Sequence, residues 1–255
     1  MKVETEFIDV PRDCKISCEL VGMAVPDFLQ LMVDHFSYAH MHMHNISEFD
    51  MATKAFLGAN RLLGEKEIEP AKHLSTGQKE RFLKLFRQVL KTSTNRNYSF
   101  PTRRNKVKVL AGELLQIYEK GLDVKGVIYY DEETRINLSE EFLCMSLFFQ
   151  RTPTELLNAV MLRISYAEFY ARYHLKQEEH NPAMAFFLRV MDGYGNIQNQ
   201  EYLSSQSFKE YFLWDIQEFR TRYLFYRNLD DRIDAYRERL EEIYQQIQKP
   251  YFDHD

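Results

Sequence analysis

One stretch of this sequence occurs twice and decides the expected fold. Residues 8–39 read IDVPRDCKISCELVGMAVPDFLQLMVDHFSYA, and residues 136–167, at an offset of 128 and with no gap, read INLSEEFLCMSLFFQRTPTELLNAVMLRISYA. Few residues are identical, but apolar positions fall on apolar positions along almost the whole length, and both copies end in Ser-Tyr-Ala. Self-similarity at a fixed offset is typical of repeat architectures. We therefore expect a tandem duplication within one chain.

The similarity continues beyond this stretch with small changes of offset. Leu74-Ser75-Thr76 matches Leu203-Ser204-Ser205 at an offset of 129, and Ile117-Tyr118 matches Ile243-Tyr244 at an offset of 126. Repeat one is expected within residues 1–123 and repeat two within residues 124–255, each with a strand and several helices. Two such repeats pack most simply as a homodimer would, around a pseudo-two-fold axis.

Local signals place helices and strands in both repeats. Ser75 with Gln78 and Thr152 with Glu155 have the spacing of capping boxes, which begin helices. Short strands are expected at residues 4–10, 124–130 and 134–138. The predicted fold is therefore mainly α: two tandem helical repeats related by a pseudo-two-fold axis, with a small antiparallel β-ribbon.

Composition excludes several classes of protein. Apolar residues make up 45% of the 255 residues, as expected of a folded domain, and three cysteines are too few and odd in number for a disulfide framework. The acidic N-terminal residues 1–6 lack the apolar region of a signal peptide. The longest largely apolar run, residues 142–149, is far too short to cross a bilayer. We expect a cytoplasmic protein.

The net charge of −5 hides a strong asymmetry along the chain. Ten basic residues and a single acidic residue lie between positions 79 and 108, so that this segment carries +9 and the remainder −14. The basic residues are Lys79, Arg81, Lys84, Arg87, Lys91, Arg96, Arg103, Arg104, Lys106 and Lys108. The corresponding stretch of repeat two, residues 208–234, has five basic and six acidic residues. The two repeats therefore differ in charge although they share a pattern.

The basic segment is the main functional signal. Lys84, Arg87 and Lys91 have helical spacing and are expected on one exposed face, where they can neutralise phosphates in a salt-dependent manner. Tyr98 and Phe100 could stack on the bases of a single strand. The same charge equally suits docking on the acidic remainder of the chain or on an acidic protein partner.

A strand, a helix, a turn and a second apolar helix are expected in this order at residues 4–39 and 132–167, and in the first copy the first helix stops at Gly22. These residues resemble the ribbon–helix–helix pattern of DNA-binding proteins. The resemblance implies that strands from the two copies pair and enter the major groove, where Arg135 and Asn137 would contact bases or phosphates. Strand one departs from the pattern, because its side chains include Glu4, Glu6 and Asp9.

Two histidines suggest a weaker alternative. His40 and His44 lie four residues apart, so they share a helical face and could both bind a metal ion. Histidines near the end of a helix also interact favourably with the helix dipole without binding any ligand. Phosphate-binding glycine loops, a nucleophile elbow and paired zinc-ligand spacings do not occur in the sequence, so neither an enzyme nor a cofactor is expected.

These observations predict a non-enzymatic protein that associates with nucleic acid, such as a transcriptional or mobile-element regulator. The alternatives are a helical interaction module for an acidic protein partner and a protein that binds a metal or small ligand. The predicted nucleic-acid contacts are Lys84, Arg87, Lys91, Arg96, Arg103, Arg104, Lys106, Lys108, Arg135 and Asn137.

Overall fold

The structure is a computed structural model that describes residues 8–42, 48–64, 73–120, 126–191 and 218–248. Within these ranges the chain is mainly helical, with one antiparallel sheet of two strands. The predicted mainly helical character and the presence of a small ribbon are therefore confirmed.

Most of the described residues lie in α-helices. Their bounds are α1 Arg12–Glu19, α2 Val25–His35, α3 Glu48–Leu62, α4 Thr76–Ser93, α5 Phe100–Tyr118, α6 Glu140–Phe148, α7 Pro153–Met161, α8 Tyr166–Leu175, α9 Pro182–Met191 and α10 Leu229–Gln248. A 3-10 turn, Tyr38–His42, lies between α2 and α3, and residues 218–222 are also helical.

The sheet is a local hairpin. Strand β1 (Val127–Tyr129) pairs with strand β2 (Arg135–Asn137), and Ile128 lies opposite Ile136. The Asp131 carboxylate accepts the backbone N–H of Thr134 over 2.7 Å and so closes the turn. The expected strands at 124–130 and 134–138 are thus present in shortened form. Most of the strand expected at 4–10 lies outside the described residues, and residues 8–10 are not in a strand.

Several helices begin at the polar residues that the sequence indicates. The backbone N–H of Ser75 donates to the side chain of Gln78 at the start of α4. The backbone N–H of Thr152 donates to Glu155, whose own N–H donates back to the Thr152 hydroxyl. Both capping boxes are confirmed. Such reciprocal bonds satisfy backbone groups that a helix terminus leaves unpaired.

The chain forms two compact units that do not follow chain order. One unit contains α2 to α7 with the sheet, and the other contains α1 together with α8, α9 and α10. The first unit has a core of mutually packed rings, where the centroids of Phe36, Phe56 and Phe142 lie 4.6 to 5.5 Å apart. In the second unit the buried Tyr236 hydroxyl bonds His174 Nδ1 over 2.8 Å.

None of the helices in the described ranges combines the length and the apolar character that a membrane span requires.

Candidate nucleic-acid interface

Helix α4 exposes three cationic side chains on one face. Phe82, Leu85 and Val89 recur at helical spacing and are buried against the rest of the unit. Lys84, Arg87 and Lys91 are exposed. We call these three residues the basic face. The amphipathic pattern of the sequence therefore predicts correctly which face of α4 is exposed.

The basic face has no acidic partner in the described parts of the chain. In these parts of the chain, no ion pair involves a lysine or arginine between positions 79 and 108. By contrast, burial raises the pKa of the Glu141 carboxyl, and the charges of Arg104 and Lys108 on α5 oppose this rise. Part of the basic segment therefore faces an acidic residue of the chain, whereas the basic face forms no ion pair with a described residue.

The basic residues of helix α5 differ in how far they are exposed. Lys106 is exposed, and its Nζ lies 4.4 Å from the centroid of the Tyr98 ring. Arg104 is half-buried, because its Cζ lies 3.9 Å from the centroid of the Phe49 ring. Arg103 is half-buried as well. Cation–π stacking of this kind fixes a guanidinium against the protein. Arg103 and Arg104 are therefore placed less well for phosphate contact than their sequence suggests.

His40 lies beneath this pair of arginines. Its ring stacks on Phe49 and meets the edge of Phe100, with ring centroids 5.9 and 4.1 Å apart. Burial, together with the smaller effects of the charges of Arg104, Arg103 and Lys54, lowers the pKa of His40 to about 4. A neutral imidazole surrounded by cations is a poor position for a metal cation.

The other metal candidate, His44, lies outside the described residues. No group of three or more His, Cys, Asp or Glu side chains suited to a metal ion occurs in the described part of the chain.

The two aromatic residues that the sequence suggests for stacking on bases differ in exposure. Phe100 packs against His40 and is only partly exposed, whereas Tyr98 is 36% exposed.

The two remaining predicted contact residues lie on strand β2 of the hairpin. Arg135 and Asn137 flank the buried Ile136 and are both exposed. The side-chain amide of Gln30 forms two hydrogen bonds with the backbone of Asn137: it accepts the N–H over 2.8 Å and donates to the C=O over 3.0 Å. The hairpin is thereby attached to helix α2.

One turn of α2 connects the hairpin to the arginine on α5. Gln30 also donates to the Asp34 carboxylate over 2.9 Å, and Arg104 donates to the backbone carbonyl of Asp34. Asn137 therefore contacts one turn of α2 and Arg104 contacts the next turn. The sequence did not indicate that these two residues approach the same part of the protein. Lys108, one turn after Arg104, is exposed.

A groove lies between α4 and α5, beside the basic face. It has a volume of about 540 Å³ and is lined by Gln88, Lys91, Thr92, Asn105, Lys106, Val109 and Leu110. Val109 is 66% exposed, more than any other valine, leucine or isoleucine among the described residues. Val109 follows Asn105 and Lys106 by one helical turn, so its position on a polar face is visible in the sequence. We call this feature the α4–α5 groove.

Comparison of the chain with known protein families, curated proteins and solved structures found no match.

Proposed function

We propose that the protein associates with nucleic acid and contacts phosphates through the basic face of α4. The observation that supports this proposal is the exposure of Lys84, Arg87 and Lys91 on one helix face, with no carboxylate partner in the described residues. Unpaired surface cations attract a polyanion and release its counterions on binding.

The dimensions of the basic face suit a phosphate backbone. Lys84 and Lys91 lie seven residues apart, which is roughly 10 Å along the helix axis. A nucleic-acid strand carries one phosphate per ~3.4 Å of helix axis, so the face lies alongside about three phosphates. Lys106 at the far side of the α4–α5 groove and Arg96 in the connecting turn extend the positive surface.

The hairpin is proposed as a secondary contact. Arg135 and Asn137 are exposed, and the ribbon–helix–helix resemblance assigns them to base or phosphate recognition. Arg103 and Arg104 instead have mainly a supporting role in this proposal, because the packing of Arg104 on Phe49 orders the start of α5. A regulatory role in transcription or in a mobile element would follow from this kind of surface.

A charge-matched pair of variants tests the proposal. One variant combines Lys84→Ala, Arg87→Ala and Lys91→Ala, and the control combines Arg220→Ala, Arg222→Ala and Arg227→Ala, which are also exposed. Each variant loses three positive charges, so the net charge of the chain changes equally. We expect fluorescence anisotropy with labelled oligonucleotides to show weaker binding only for the first variant.

The alternative partner, an acidic protein, is an outcome of the same experiment. If the wild-type protein binds neither single-stranded nor duplex oligonucleotides at low salt, the nucleic-acid proposal fails. An acidic protein partner would then be sought in pull-downs that are insensitive to nuclease.

We further propose that the chain is a tandem duplication in which the two repeats exchange their first helix. Helix α1 of repeat one packs in the unit that contains α8 to α10, whereas its counterpart α6 packs in the unit that contains α2 to α5. The next helix of repeat two, α7, lies in the same unit as α6, although its counterpart α2 does not lie with α1, so the reciprocity concerns the first helices alone. The reciprocal placement of α1 and α6 supports the internal repeat.

Two equivalent hydrogen bonds support the exchange. The Tyr118 hydroxyl donates to the carbonyl of Leu147 on α6 over 3.2 Å, and the Tyr244 hydroxyl donates to the carboxylate of Glu19 on α1 over 2.5 Å. Tyr118 and Tyr244 are counterparts in the repeat, and so are Leu147 and Glu19. Each tyrosine therefore bonds the first helix of the other repeat.

A further inference from the structure

We infer that the α4–α5 groove receives the bases of a single-stranded nucleic acid whose phosphates lie against the basic face. This inference rests on the proposed function and specifies its ligand. It makes the groove, rather than the basic face alone, the feature that selects among nucleic acids.

The floor of the groove is apolar and open to solvent. Val109 exposes 66% of its surface, and Leu110 beside it is half-exposed. A concave site with an exposed aliphatic floor favours a flat apolar group that can displace water from it. The face of an unstacked base is such a group. In a duplex the base faces are already covered by stacking, so a duplex would leave Val109 in water.

The rims of the groove carry positive charge on both sides. Lys91 lies on α4 and Lys106 on α5, and no carboxylate lines the groove. A strand that places a base on the floor brings its flanking phosphates towards these two ammonium groups. The groove therefore complements both parts of a nucleotide, the apolar base and the anionic backbone.

Polar and aromatic groups complete the site. Gln88 and Asn105 line the groove and are exposed, so their amides can donate and accept hydrogen bonds at base edges. The Lys106 ammonium group lies 4.4 Å from the centroid of the Tyr98 ring, a cation–π contact that helps to hold this charge beside the groove.

The composition of the groove favours a nucleic acid over a protein helix. Two cationic side chains, Lys91 and Lys106, flank a surface that Val109 and Leu110 make largely apolar. A nucleic-acid strand carries an anionic phosphate beside every base, so it can meet both features along its length. The apolar face of an amphipathic helix would contact the apolar surface but would offer no anion to the two ammonium groups.

The test compares a groove variant with a matched control in the full-length chain. Val109→Gln replaces the apolar floor without a change of charge, and Leu162→Gln makes the same kind of change at a leucine that is 61% exposed outside the basic segment. Both are titrated into a labelled single strand and a labelled duplex of about 16 nucleotides or base pairs, the upper end of the site size of one single-strand-binding fold. Circular dichroism melts check that both variants are folded.

We expect the wild-type protein to prefer the single strand, and Val109→Gln to weaken single-strand binding about fivefold or more, as loss of one stacked base would. Duplex binding by Val109→Gln and all binding by Leu162→Gln should be unchanged. Equal affinity of the wild type for single strand and duplex, or an unchanged single-strand affinity in Val109→Gln, overturns the inference. If binding persists but is lost in the Lys84, Arg87 and Lys91 variant, the proposed function survives this failure. If the wild type binds neither oligonucleotide, both fail.

Discussion

The hydroxyl of Ser165 donates a hydrogen bond to the carboxylate of Asp13 over 2.8 Å, across a separation of 152 residues in the sequence. In the sequence repeat, Asp13 corresponds to Glu141, and Ser165-Tyr166 corresponds to Ser37-Tyr38. In the other compact unit, Glu141 accepts the backbone N–H of Tyr38 over 2.7 Å. In the tandem arrangement that we propose, an acid on the first helix of each repeat therefore binds the Ser-Tyr pair of the other repeat. The exchange that we propose explains both contacts with one arrangement.

A double-mutant cycle tests the contact between Asp13 and Ser165. We expect Ser165→Ala to lower the free energy of unfolding by about 1 to 2 kcal/mol, because its hydroxyl also caps α8 by accepting the N–H of Glu168. Asp13→Ala should have a comparable effect, and the two losses should be less than additive by about 1 kcal/mol. Urea denaturation of the four proteins measures this. Strict additivity would contradict the contact.

Cleavage between the repeats tests the exchange as a whole. A protease site introduced within residues 121–125 allows the chain to be cut after folding. Because each fragment would contribute its first helix to the compact unit of the other, we expect both fragments to co-elute in gel filtration and to separate only in denaturant. Separation under native conditions would show that each repeat is self-contained and would contradict the exchange.

Protonation of His40 should destabilise the protein at low pH. The folded-state pKa of His40 is about 4, below its ordinary value of 6.5, mainly because the ring is buried. The unfolded chain therefore binds the proton more tightly, so stability is fully present above pH 6.5 and falls as the pH decreases towards 4. The loss amounts to about 3 kcal/mol.

The variant His40→Leu isolates this contribution. Burial also lowers the pKa of His174, with smaller contributions from Arg232 and Arg220, but that residue remains in both proteins. Between pH 7 and pH 4 the wild type should lose about 3 kcal/mol more of its unfolding free energy than the variant. Parallel pH dependences in chemical denaturation would mean that His40 is solvated. At pH 7 the variant should be at least as stable, since both ring nitrogens of His40 are buried and have no hydrogen-bond partner among the described residues.

Arg104 and Arg87 should affect different properties. Arg104→Ala removes the packing on Phe49, and we expect it to lower the unfolding free energy by about 1 kcal/mol while it weakens nucleic-acid binding only slightly. Arg87→Ala, at an exposed helix position, should leave stability within about 0.5 kcal/mol and weaken binding more. Thermal melts and anisotropy titrations of both variants make the comparison. The reverse pattern would place the phosphate contacts on α5 instead of α4.

Sequence periodicity was sufficient to predict features that depend on local structure. The face of α4 that carries Lys84, Arg87 and Lys91 follows from the apolar spacing of Phe82, Leu85 and Val89, and the structure agrees with it. The two capping boxes follow from residue types at fixed spacing. Such patterns hold because a helix has a fixed number of residues per turn.

Features that depend on contacts between distant residues could not be predicted. The stacking of Arg104 on Phe49 joins two elements that are far apart in the sequence, and no local pattern distinguishes this arginine from its neighbour Lys106. The groove needs α4 and α5 side by side before Gln88 and Val109 can line one site. The placement of α1 in the unit of α8 to α10 likewise depends on which long-range packing is most favourable, and not on the propensity of α1 itself.

The measurement that tests the central claim most directly is the salt dependence of oligonucleotide binding by the wild type and by the variant that lacks Lys84, Arg87 and Lys91. Each phosphate contact contributes about 0.7 to 0.9 to the slope of log affinity against log salt concentration. We predict a steep negative slope for the wild type, reduced in magnitude by about 2 to 3 in the variant and unchanged in the Arg220, Arg222 and Arg227 control. Identical slopes in all three proteins, or no binding by the wild type at low salt, would contradict the assignment of α4 as the nucleic-acid surface.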